Sequence, residues 1–106
     1  MSLDVNRLFL ELEKLRKDVN RQAINPEIQV LSLDDLKPIL QMVAHARAKY
    51  LREFFDMANA TDSLPSIAQI QELGRLRATF DELISAAAAF DTAIQRGYLD
   101  IKPRDA

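Results

Sequence analysis

Residues 73–94 read LGRLRATFDELISAAAAFDTAI, and their apolar positions decide the fold class. Leu73, Leu76, Phe80, Leu83, Ala87, Phe90 and Ile94 follow one another in steps of three and four without a polar interruption. A helix turns about 100° per residue, so such steps hold one stripe on one face, as in a bundle seam. Working outward, Gly97 suits a C-terminal stop and Pro65 suits a first helical turn, which predicts a helix over 65–96. The polar run from Asn59 to Ser63 reads as the turn before it.

The same period recurs near the N-terminus, where Val5, Leu8, Leu12, Leu15 and Val19 form a stripe that Phe9 widens. It predicts a helix over 3–23, ended by Asn25-Pro26 because the residue before a proline is driven out of the helical region. Residues 24–31 read as an extended connector, with Ile28 and Val30 on one side and Glu27 and Gln29 on the other. Ser32 with Asp35 three positions on imitates a capping box. A helix follows over 34–58, in which Pro38 falls early enough to be tolerated.

Two glycines and four prolines in 106 residues leave few places to turn. The expected architecture is an all-α, antiparallel bundle of three principal helices in a single domain over 1–106, with a tail frayed over 98–106. At about 1.5 Å per residue the three rods measure roughly 30, 35 and 48 Å. The third outruns the others. Either Gly74 kinks it, or its first two turns project and bury Ile67 and Ile70 against another body.

Composition removes much of enzyme chemistry. The absence of cysteine excludes a disulfide framework, a thiolate zinc site and a cysteine nucleophile, and a single His45 leaves no histidine pair. No phosphate-cradling glycine loop, paired-histidine metal motif or nucleophile elbow occurs. The adjacent carboxylates Asp34-Asp35 and Asp81-Glu82 diverge by about 100° on a helix and do not converge on one ion. We therefore expect no catalytic residue, no cofactor, no metal and no small-molecule substrate. A net charge of −2 announces neither nucleic acid nor a membrane surface. No run approaches the roughly 20 apolar residues of a membrane span, and no basic-then-apolar leader opens the chain, so the expected address is cytoplasmic.

Several residues break their local pattern. Arg47 falls at the centre of a helix-two face made by Leu36, Leu40, Val43, Tyr50, Leu51, Phe54 and Ala58. An unpaired buried guanidinium costs several kcal/mol, which calls for a carboxylate such as Glu11, Glu13 or Glu72, a snorkelling side chain, or a bound anion or partner. Asp91 lies among Phe80, Ile84, Ala87 and Ile94, where Arg21 or Lys37 would neutralise it. His45, Lys49 and Arg52 make a short basic ridge beside Gln41, interrupted by Asp34 and Asp56 and lacking interleaved aromatics for base stacking. Solvated helix surface is the plain reading of that ridge.

Ala86, Ala89 and Ala93 smooth the outer face of helix three, either because alanine favours helix or because another helix approaches there. Leu3 and Leu10 point away from the main face of helix one, and Phe55 lies at the edge of helix two. With Ile67 and Ile70 these give more apolar surface than one small core absorbs. The expected function is a noncatalytic helical interaction module, an adaptor or regulatory subunit, forming a homodimer and binding another protein. A nucleic-acid-associated regulator using the basic ridge is the alternative. An anion or small-ligand site inside the bundle, resting on Arg47 and Asp91, is the weaker one.

Overall fold

Three helices carry the chain: α1 (Ser2–Ile24), α2 (Leu33–Ala60) and α3 (Ile67–Gln95). The computed structural model describes residues 2–28, 30–60 and 63–102, with side chains from residue 4 onward. Among the described residues the only β pairing is an isolated parallel bridge between Leu31 and Ile101, so the fold is all-α. Where the sequence suggested a single domain over 1–106, the backbone groups into two compact units, Met1–Asp35 with Phe90–Ala106, and Leu36–Ala89.

Helices α2 and α3 start where side chains satisfy their end groups. Ser32 caps α2: its hydroxyl accepts from the Asp35 N–H at 3.3 Å, and the Asp35 carboxylate accepts from the Ser32 N–H at 2.8 Å. This is the reciprocal box expected from the sequence. Pro38 lies inside α2, past the turn whose N–H groups are free anyway, so it removes one hydrogen bond near an exposed end. A second box, not anticipated, opens α3: the Gln69 side chain accepts from the Ser66 N–H at 2.8 Å, and the Ser66 hydroxyl accepts from the Gln69 N–H at 3.2 Å. Ser66, not Pro65, therefore sets the start.

That start changes the length argument. At 28 and 29 residues, α2 and α3 run about 42 and 44 Å at 1.5 Å per residue, a near match where a large excess was expected. α3 continues as one helix through Gly74, around which nothing lies within 4 Å of a would-be Cβ. Its C-terminus closes as foreseen at Gly97, whose φ of 74° is the left-handed conformation glycine tolerates. The Tyr98 N–H donates to Ala93 O at 2.8 Å and the Gly97 N–H to Ile94 O at 3.1 Å, the paired bonds of a Schellman ending.

In the Leu36–Ala89 unit, α2 and α3 form a hairpin. Tyr50 stacks on Phe80 with ring centroids 6.0 Å apart, each about as far from the connector as two antiparallel rods require. The α3 stripe Leu73, Leu76, Phe80, Leu83 and Ala87 is half-buried, as its spacing foretold. On α2 the covered residues are Leu36, Ile39, Val43, Ala46, Tyr50, Glu53 and Met57, with Ala46 and Met57 buried. This face is turned by roughly 60°, at 100° per residue, from the one read in the sequence. Seating the Tyr50 ring on Phe80 brings small Ala46 and flexible Met57 inward and turns Leu40, Leu51, Phe54 and Ala58 outward.

In the other unit, Tyr98 and Leu99 are the buried residues among those described. The Leu31 N–H donates to Asp100 O at 2.9 Å and the Lys102 N–H to Leu31 O at 2.7 Å, which ties down a segment expected to fray. Residues 103–106 of that tail lie outside the described residues. The connector is also less extended than expected. The N–H groups of Glu27 and Ile28 both donate to Ile24 O, wrapping a turn onto the end of α1, with Ile28 half-buried and Val30 exposed. Gln29 lies outside the described residues.

Candidate interaction surface

Polar residues of helix α1 bond the C-terminal segment of its own unit, on the side where Ile24 is also half-buried. Arg21 Nη1 donates to Gly97 O at 2.7 Å and Nη2 to Asp100 Oδ1 at 2.7 Å, spanning 76 and 79 positions of sequence. The end of Lys17 lies against Gly97, where an added Cβ would come within 3.0 Å of its Cε. Glu13, Lys14 and Lys17 line a shallow groove with Arg96 and Tyr98. These contacts occupy one side of the helix.

The apolar stripe lies about 175° around from them at 100° per residue, on the opposite side. Val5, Leu8, Leu12, Leu15 and Val19 are each 40% to 63% exposed, and Phe9 beside them is 59% exposed. The sequence reading placed this stripe in the bundle core, and the structure places it in solvent. Six large apolar side chains in one row, each worth about 1.5–3 kcal/mol if buried, form a surface of the kind soluble proteins seldom leave bare. Charged residues border it. Asp4, Glu11 and Asp18 stand along one edge at seven-residue intervals, and Arg16 stands on the other edge behind Phe9.

A second bare facet belongs to α2. Leu40, Leu51 and Phe54 are all more than half exposed, in line with Ala44, Arg47 and Ala58. Phe54, Phe55, Leu51, Ala48 and Ala58 line an open apolar groove there, with Arg52 at its rim. Of the other interaction candidates, Leu10, Phe55, Ile67, Ile70, Ala86 and Ala89 are exposed and Ala93 is half-buried. The side chain of Leu3 lies outside the described residues.

The two suspected buried charges are corrected. Arg47 is exposed, and its guanidinium sits 5.2 Å from the centroid of Phe80, a cation–π contact at the edge of the hairpin. The carboxylates offered to it are engaged locally: Glu72 with Arg75 at 2.6 Å, Glu13 with Arg16, and Glu11 with Arg7 at 3.9 Å. Asp91 is likewise exposed, and Arg21 is committed to Asp100. Both charges looked internal because the α2 face was read too far around and because Asp91 borders the α3 stripe without joining it.

His45, Lys49 and Arg52 are exposed, as a solvated ridge would be. Arg52 Nε bonds Asp56 at 3.2 Å and its guanidinium lies 6.0 Å from the Phe55 ring, so one of the three side chains of the ridge is already occupied. Among the described residues no three His, Cys, Asp or Glu side chains are placed to hold a metal ion. Among the same residues no helix is long and apolar enough to cross a membrane. Comparison with protein-family models, with curated proteins and with solved structures finds no match.

Two carboxylates have displaced titrations. The Ser32 N–H, then its hydroxyl, hold Asp35 below the ordinary aspartate value, and the Arg75 side chain does the same for Glu72. Both serve helix ends and helix surfaces and lie apart from the apolar stripes, so their chemistry is structural.

Proposed function

We propose that this chain is a noncatalytic helical interaction module that self-associates and offers a further helix face to another protein. The observation that carries this reading is the bare stripe Val5, Leu8, Leu12, Leu15 and Val19, on a helix whose own unit grips it by the polar side. Exposure of that stripe to water is unfavourable, and a partner surface removes it from solvent. The α2 facet around Leu40, Leu51 and Phe54 supplies a second such surface, which suits a protein with two attachments.

Homodimers with twofold symmetry are the commonest way to cover such a face. Sedimentation velocity or light scattering over a wide concentration range tests the reading. A dimer or larger species that dissociates on dilution is expected, and a strict monomer at high concentration overturns it.

A further inference from the structure

We infer that the occupant of the α1 stripe is α1 of a second copy, laid parallel and in register as a short two-stranded coiled coil. This rests on the self-association reading and adds to it the surface, the direction and the register. In heptad terms Val5, Leu12 and Val19 take the first core position and Leu8 and Leu15 the fourth. A β-branched residue at the first position with leucine at the fourth favours two parallel strands. All five are exposed on one face, and the opposite face is held by Arg21 on Gly97 and Asp100, so among the described residues of that unit none covers the stripe.

The flanking charges set the direction. Asp4, Glu11 and Asp18 fill the position before each first core residue, while Phe9 and Arg16 fill the position after each fourth. In a parallel pair those two rows face each other across the seam, shifted by five residues, so Glu11 of one copy meets Arg16 of the other, twice by symmetry. Phe9 adds apolar cover in the same row. An antiparallel pair sets the acidic row against itself, with Glu11 beside Glu11 and Asp4 beside Asp18, and like charges across an interface oppose it. The local pair Arg7–Glu11 is on the surface and the pair Glu13–Arg16 is partly exposed, with Arg16 half-buried, so both exchange for the new ones at modest cost.

The absence of cysteine from the native chain makes the register directly testable. In the full chain, Leu8→Cys and, separately, Leu15→Cys face their own counterparts only in the parallel, in-register arrangement, and mild oxidation then yields a disulfide-linked dimer. An antiparallel pair with Glu11 beside Glu11 instead sets Leu8 opposite Leu12 and Leu15 opposite Val5, so Leu8→Cys cross-links only when mixed with Leu12→Cys, and Leu15→Cys only when mixed with Val5→Cys. Docking of α1 onto the α2 facet of another copy instead links Leu8→Cys to Phe54→Cys. Either of those patterns overturns the inference.

Sedimentation equilibrium of the unmodified chain keeps the two levels apart. A native dimer that fails to give the Leu8 and Leu15 self-links sinks the coiled coil and leaves self-association standing, whereas a native monomer sinks both. Glu11→Gln supplies a second, non-covalent measurement: losing two cross-strand pairs weakens the parallel dimer roughly fivefold, while the antiparallel one tightens as repulsion is relieved. A tighter Glu11→Gln dimer therefore also overturns the proposal.

Discussion

The two units use their helices in opposite ways. In the α2–α3 hairpin, apolar stripe meets apolar stripe, and Tyr50 on Phe80 marks the seam. In the unit built on α1, the polar side of the helix makes the contacts through Arg21 and Lys17, and the apolar side is left in water. Both helices show the same three-and-four spacing. Periodicity therefore identifies a face that seeks cover without saying whether cover comes from the same chain.

The sharpest way to break this contrast is to truncate one apolar residue from each class. Leu99 is 4% exposed, and Leu99→Ala is expected to cost about 2–5 kcal/mol in a urea titration. Leu8, at 63% exposed, is expected to cost no more than about 0.5 kcal/mol when mutated to alanine at a dilution where the chain is monomeric. Equal losses at that dilution would show that the stripe is covered within the chain.

Next in size come the helix caps. Ser66→Ala, which strips the box from the start of α3, is expected to cost about 1 kcal/mol, and Ser32→Ala at α2 a similar amount. Restoration by threonine at either position checks that the hydroxyl is responsible. The seam itself is sharpened by a double-mutant cycle on Tyr50 and Phe80, with an expected coupling of about 0.5–1.5 kcal/mol. A coupling indistinguishable from zero would remove the ring pair from the account of why α2 turned.

The smallest expected effect is a pH dependence. Asp35 and Glu72 have folded pKa values below their ordinary ones, so the stabilisation they bring is complete above the unfolded carboxylate range near pH 4. It is lost as pH falls through the lower folded values. Urea midpoints measured from pH 6 down to pH 2 are expected to fall at the acid end, and Asp35→Asn with Glu72→Gln to flatten part of that fall.

Much of the fold is legible in the sequence, since the α3 stripe, the Ser32 box and the stop at Gly97 all announce themselves through local chemistry. Ser66 with Gln69 carried the same capping signal, but Pro65 beside it drew the boundary two residues early. The face of α2 was harder because two apolar stripes run side by side on it. Choosing between them depends on which one α3 fits, a tertiary fact that no single-helix wheel contains. The burial of Tyr98 and Leu99 has no periodic signal either, since the segment is too short to show one. Surplus apolar area was legible in kind and misplaced in detail: the α1 stripe, assigned to the core, is a large part of the exposed apolar surface.

The bridge between Leu31 and Ile101 has a kinetic consequence. It joins positions from opposite ends of the sequence, and closing so long a loop carries an entropic charge that grows with the logarithm of its length. Once α2 and α3 have zipped together from their connector, the effective loop is far shorter and the ladder bonds at Asp100 and Lys102 form cheaply. High contact order is thus concentrated in a few residues, while the hairpin depends on nearby ones. In a refolding experiment the hairpin leads, and protection of the Leu31 and Lys102 amides against exchange arrives last.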